Sequence, residues 1–394
     1  MRILIFTEVF SPDVCGVSSY VDVLKKGLEN LSHTVLIVTS STNVKKAYYD
    51  KGVIICPAKK VNNKYGHECK KTDDPNVLKF LCNFKPDVVH IHTDTKIGYM
   101  GLEVGDIAKA EIVYTIHDYY LDRFANENKF LWMIKTIFEK RHFIDMLDTA
   151  DVVTSSCIRA DIFIKRAKRK NKIHIVPCGV DNKLFDYRKF DKRNIKNIRE
   201  KYHLSNTSTV AVFAGNLSVE KNIEFALSSF SKYIKKEDNI QFLIVGDGTE
   251  TEYLKNICQR LDINNMVSFA GTVLNTDMPE IYSACDIYVC SYDDGLMSMS
   301  FGEAMSCGLP VLIKEDKEKI AYEMIQDGVN GFVYKNEEEF ANYLKMFSSL
   351  EPKKVNHIKS IVRNTISTDS CTEMAKTYLN IYENAKIAKE KKKK

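Results

Sequence analysis

The first forty residues, "MRILIFTEVFSPDVCGVSSYVDVLKKGLENLSHTVLIVTS" (Met1 to Ser40), decide the fold. "RILIFTEV" is a short apolar run, "SPDVCGVSSY" is a turn with one glycine, and helical spacing follows from about Ser18 to Asn30. "TVLIVTS" then returns to a β-branched run of strand type. Strand, helix and strand in that order make a βαβ unit, which closes only on a parallel sheet.

The same rhythm continues outward through "DVVHIHT", "EIVYTIHD" and "DVVTSS", and restarts in "TVAVFAG", "IQFLIVGDG", "VSFAGTV", "DIYVCSY" and "LPVLIK". Two such series make an α/β chain of two doubly wound, Rossmann-like domains. The break falls in "IVPCGVDNKLFD" (Ile175 to Asp186), where Pro and Gly interrupt the pattern. The expected layout is a first Rossmann-like domain at 1–178 and a second at 187–370. A closing segment, 371–394, is helical from about Cys371 to Lys389 and packs back on the first domain. Doubly wound sheets take ligands beyond the carboxyl ends of their strands, so two facing domains hold a ligand in the cleft between them.

Composition narrows the class. The 394 residues are 44% hydrophobic and 28% charged, a globular balance. No window holds the roughly 18 consecutive apolar residues of a membrane-spanning helix. Glu8 arrives where a signal peptide would still be apolar, so the N-terminus reads as a buried strand and the expected compartment is the cytoplasm. The 11 cysteines form no CxxC pair, and no Cys/His cluster has zinc spacing, so reduced, buried thiols and no metal are expected. The net charge of +5 gathers in "IKRAKRKNK" (Ile164 to Lys172) and the tail "KIAKEKKKK" (Lys386 to Lys394). No nucleic-acid motif accompanies them, and nucleic acid is not an expected partner. Each run is either a solvated face or a patch for an anionic membrane surface.

Several strand ends carry candidate chemistry. Gly16 stands between the first strand and its helix, where free amides favour an anion; a plain turn glycine is the alternative. His117, in "YTIHDYY", either polarises a substrate group or is a satisfied core histidine. His90 and His92 share one strand face and lack a third ligand at metal spacing, which suggests a structural or supporting role. Lys221, in "FAGNLSVEKN", opens a helix where an ammonium adds to the amides in holding a diphosphate, unless it is an ordinary surface lysine. Glu303, in "FGEAMSCGLP", falls at the first turn of a helix expected to begin near Phe301. The helix dipole favours a carboxylate there, able to accept two vicinal ribose hydroxyls. Ahead of it, the amides of Leu296, Met297, Ser298, Met299 and Ser300 are placed to hold a phosphate or a hexose.

In this order the pieces resemble the retaining glycosyltransferases of the GT-B fold, the family marked by an E-x7-E motif. The likeness rests on "FSPDVCGVSSYV", "KPDVVHIHT", "YTIHDYY", "VPCGVDNKLF", "GNLSVEKNIEFAL", "VSFAGTV", "FGEAMSCGLPV" and "IQDGVNGFVY", and covers nearly the whole chain. "EKNIEFAL", "VHIHTDTKIGYMGLEV" and the segment from Gly308 to Phe340 look most like bacterial diacylglycerol glucosyltransferases. The resemblance implies that Gly16 and Lys221 contact the donor diphosphate, and that the main chain at Thr272 and Val273 meets the nucleobase. It implies that Glu303 takes the ribose, that His117 lies near the reacting carbon, and that no metal or other cofactor takes part. Two positions depart from the family pattern. Asn216 stands where an arginine is usual, and Gly295 stands where the first motif glutamate belongs. Either Asp294 reaches the hexose from one residue away, or the amides of Met297 to Met299 suffice.

The acceptor side is carried by "YYLDRFANENKFLWMIKTIFEKRHFIDML" (Tyr119 to Leu147), which mixes aromatics, including Trp132, with Lys and Arg. It suits either a membrane surface or the sheet beneath it. The expected activity is retaining transfer of a hexose, glucose by resemblance, from a UDP-sugar to a membrane lipid such as diacylglycerol. The enzyme would lie peripherally on the inner face of the cell membrane. The rivals are a transferase of surface polysaccharide or polyprenyl-linked glycan, and an inactive GT-B scaffold subunit.

Overall fold

The computed structural model describes residues 1–11, 13, 15–61, 67–70, 74–117, 140–156, 160, 164, 171–291, 298–315, 325–366 and 370–393. Two compact units divide them: Met1–Gly179 with Cys371–Lys394, and Val180–Ser370.

The first unit is built on β1 (Arg2–Phe6), β2 (Thr34–Ser41), β3 (Tyr48–Asp50), β4 (Val53–Lys60), β5 (His67–Cys69), β6 (Val88–Ile91), β7 (Glu111–Ile116), β8 (Val152–Ser155) and β9 (Ile173–Ile175). Their order in the sheet is β3-β4-β2-β1-β6-β7-β8-β9, with β5 added on β4. β1 pairs in parallel with β2 on one side and β6 on the other, so the topology switches direction beside β1. Every residue of β7 is buried, as expected of a strand covered on both faces. The helix after β1 starts at Gly16, two residues before Ser18, because the Cys15 sulfur accepts from the Ser18 amide at 3.4 Å.

The last helix, Ser370–Lys393, belongs to this unit from Cys371 onward. A Cβ at Gly27 would lie 2.3 Å from the Cys371 carbonyl oxygen, so only glycine lets the first and last helices approach this closely. Tyr378 and Tyr382 are fully buried. Lys389, from the basic tail, donates to the Ala110 carbonyl and pairs with Asp151, each at 2.9 Å. That lysine is therefore held by the protein's own acids.

The second unit carries β10 (Thr209–Ala214), β11 (Ile240–Val245), β12 (Val267–Gly271), β13 (Ile287–Cys290), β14 (Val311–Lys314) and β15 (Gly331–Tyr334). All pairings are parallel, in the order β12-β11-β10-β13-β14-β15. Here the direction reverses between β10 and β13, the place where doubly wound sheets bind ligands. Among the described residues no helix is long and apolar enough to cross a membrane.

Candidate active site

At the carboxyl edge of the second sheet, hydrogen bonds draw several strand ends together. Gly215 N donates to Val245 O, Leu217 N to Asp247 O, and Gly246 N to Gly271 O, which ties the exits of β10, β11 and β12. Gly246 has φ +127°, and a Cβ there would come within 1.9 Å of the Gly215 carbonyl oxygen, so the tie requires glycine. Ser291, just past β13, donates to the Lys221 carbonyl at 2.8 Å. Lys221 closes the short turn Val219–Lys221, and Asn222, at φ +49°, separates it from the helix Ile223–Tyr233. Asn216 is exposed in the same loop.

The helix Met299–Ser306 completes this edge. Ser298 caps it, its hydroxyl accepting from Phe301 N at 3.3 Å. Ser300 donates to the Ala214 carbonyl at 2.8 Å, which pins the helix start to the end of β10. The amides of Met299 and Ser300 lie in the first turn, where no intrahelical carbonyl can receive them. Glu303 sits two residues further into the helix than expected, because the Ser298 cap starts the helix two residues before Phe301. It is 4% exposed, and burial pushes its carboxyl up to about 7, against the lowering effect of one hydrogen bond from Asn275. The helix dipole thus does not hold this group ionised; burial dominates. Asn275 Nδ2 donates to Glu303 Oε1 at 2.8 Å. Thr272 and Val273 lie three and two residues before Asn275, exposed and half-buried respectively.

The structure therefore brings Asn216, Lys221, Thr272, Val273, Ser298, Met299 and Glu303 to one edge. Asp294, Leu296 and Met297 lie outside the described residues, as do Trp132 and most of the basic run 164–172. Asn275 escaped the sequence reading, although its place just beyond a strand end was the available signal.

Gly16 and His117 belong to the first unit. Gly16 opens its helix with an ordinary negative φ, and a Cβ there would meet nothing within 4 Å. Neither backbone shape nor packing demands glycine at that position. His117 follows β7, and its Nε2 lies 2.8 Å from Nδ1 of His92. The Tyr20 ring, from the helix that Gly16 begins, meets the His117 ring edge-on with centroids 4.8 Å apart. Behind them His90 is satisfied at both nitrogens, by the Tyr382 hydroxyl at 2.8 Å and the Thr115 hydroxyl at 2.6 Å. Burial pushes the pKa values of His90 and His92 well below the usual histidine range, and neighbouring imidazoles add to the effect. Both are neutral at physiological pH.

Beneath the switch point of the same sheet lies Glu8, fully buried, which the sequence reading used only as a mark against a signal peptide. It accepts from the Cys69 amide at 2.8 Å and from the hydroxyls of Ser40 and Thr95. Burial raises its pKa, and those donors oppose the rise. An open cavity of about 510 Å³ adjoins it, lined by Phe10, Asp13, Ser40, Lys45, Tyr48 and Ile55 among others.

Comparison with known proteins agrees with this geometry. The family described as glycosyl transferases group 1 matches residues 194–365, and glycosyltransferase family 4 matches residues 14–184. The chain is 26% identical to the alpha-monoglucosyldiacylglycerol synthase of Acholeplasma laidlawii over 358 residues, 87% of each chain. It is 24% identical to the enzyme of that name from Streptococcus pneumoniae, over 86% of this chain and 77% of the other. Among solved structures, Anabaena HepE in complex with UDP-glucose superposes with a TM-score of 0.72 at 18% identity, covering 98% of this chain and all of HepE.

Proposed function

We propose, for a chain that belongs to the group 1 glycosyltransferases of the GT-B fold, that it moves glucose from UDP-glucose to diacylglycerol with retention of configuration. The observation that carries the acceptor is the length of the match. Two lipid glucosyltransferases align with 86% or more of this chain, beyond the nucleotide half alone. The donor rests on Glu303, a buried carboxyl titrating near neutrality beside a helix start whose first-turn amides have no intrahelical acceptor.

Glu303, once ionised, accepts both ribose hydroxyls, and the main chain at Thr272 and Val273 meets the base. Lys221, Gly16 and the amides of Met299 and Ser300 stabilise the diphosphate as charge builds on it in the transition state, the role a metal plays in other transferases. His117 donates to the transferred sugar near the reacting carbon. The open cavity beside Glu8 offers apolar walls and polar groups suited to a glycerol headgroup. Work on such an acceptor places the protein peripherally on the inner membrane face.

The test is transfer of labelled hexose from UDP-glucose, UDP-galactose and GDP-mannose to diacylglycerol or polyprenyl phosphate in vesicles, with and without EDTA. Label from UDP-glucose in the diacylglycerol fraction, unaffected by EDTA, is the expected result. Label confined to the polyprenyl fraction overturns the acceptor. Absence of turnover, with binding unchanged in Glu303→Ala, makes the chain a scaffold subunit.

A further inference from the structure

The pair formed by His92 and His117 contains an asymmetry that fixes a proton. His92 is 1% exposed. Its Nδ1 meets Nε2 of His117 at 2.8 Å, while its own Nε2, also buried, has no hydrogen-bond partner among the described residues. The rings around it are those of His90, with centroids 4.1 Å apart, and Tyr20, at 5.8 Å. His90 spends both nitrogens on Tyr382 and Thr115, and the Tyr20 hydroxyl is engaged with Tyr378 at 2.7 Å. Neither ring turns a polar atom to His92 Nε2 in these bonds.

A neutral imidazole carries one N–H, and burial keeps His92 neutral. Two arrangements of the pair follow. If His117 donates from Nε2, the His92 proton must sit on its own Nε2, as a buried N–H with no acceptor. If His92 donates from Nδ1, its Nε2 is only a bare lone pair, and the proton of a neutral His117 sits on Nδ1. Orphaned buried N–H groups are rarer in folded proteins than under-used acceptors, so the second arrangement prevails.

We propose that His92 is a positioning residue: by donating from Nδ1 to His117 Nε2, it holds His117 as the Nδ1–H tautomer. This rests on the reading of His117 as the group that meets the transferred sugar. The frame behind the pair is rigid. Tyr378 bonds Tyr20, Thr115 and Thr154, at 2.7, 3.2 and 3.3 Å. The last helix thereby braces both the strand that leads into His117 and the ring packed against it.

The experiment combines nitrogen NMR of histidine-labelled protein with kinetics of His92→Phe and His92→Asn. Asparagine returns an N–H close to the place of Nδ1, whereas phenylalanine keeps the bulk without it. In the wild-type spectrum, His117 should show a protonated Nδ1 and an unprotonated Nε2. His92→Phe should lower kcat about tenfold or more with donor KM nearly unchanged, and His92→Asn should restore most of it. A wild-type His117 protonated at Nε2 overturns the proposal, as does a His92→Phe enzyme with wild-type kcat. If the wild-type protein transfers no sugar at all, the transferase reading fails, yet the spectrum still decides the tautomer.

Discussion

The carboxyl edges of the two sheets solve opposite electrostatic problems. On the first, polar side chains answer one another: His90 has two partners, Tyr378 three, and Glu8 three donors. The imidazoles of His90 and His92 are kept neutral by burial. On the second, Glu303 is equally buried but has Asn275 as its side-chain partner, and titrates near neutrality. One edge is finished before substrate arrives, while the other is completed by it. A finished, neutral edge suits a group that must keep one orientation through the reaction. An unfinished carboxyl suits one that must exchange a proton for two ribose hydroxyls on binding.

If this contrast is right, losses should separate by edge. The largest expected effect is His117→Ala, which should lower turnover by about 10²–10³-fold, the scale of one transition-state donor. Calorimetry should find UDP binding unchanged, and an equal loss of binding would break the contrast. Next, Glu303→Ala should weaken UDP-glucose binding by about a hundredfold, near 3 kcal/mol for two charge-assisted hydrogen bonds.

The pH dependence sharpens the second edge. The folded pKa of Glu303, about 7, lies above the ordinary 4.5, so the folded protein favours the protonated form. The stability that comes with it is complete below pH 4.5 and is lost as the pH rises through 7. Ribose hydroxyls prefer the ionised form, so UDP-glucose affinity should rise with pH, by about tenfold per unit below that pKa, and level off above it. Glu303→Gln should bind weakly at every pH with no such slope. The smallest effect belongs to Asn275→Ala. Loss of its hydrogen bond should raise the Glu303 pKa further and weaken binding about fivefold at pH 7, with most of the loss recovered at pH 8.5.

Much of this was legible in the sequence, and the rest failed for identifiable reasons. Strands such as "TVAVFA" and "IQFLIV" are apolar on both faces because helices cover both, and composition alone finds them. The three-residue strands Tyr48–Asp50 and His67–Cys69 lie outside that signal, being too short and too polar. Two helix starts were misplaced because their caps are a cysteine sulfur at Cys15 and a serine inside a serine-rich loop at Ser298. Site residues at strand ends could be nominated by position. The bonds that give them character could not: Tyr20 reaches Tyr378 across 358 residues and His90 reaches Tyr382 across 292. Burial, which reverses the expected charge preference of Glu303, likewise depends on what packs over a side chain.

The account turns on what leaves the enzyme. The most direct measurement is mass spectrometry and proton NMR of lipids extracted after the protein acts on UDP-glucose and diacylglycerol vesicles. The prediction is a monohexosyl-diacylglycerol with the α configuration of the donor. A β-anomer, or unmodified diacylglycerol beside hexose attached to another acceptor, would contradict it.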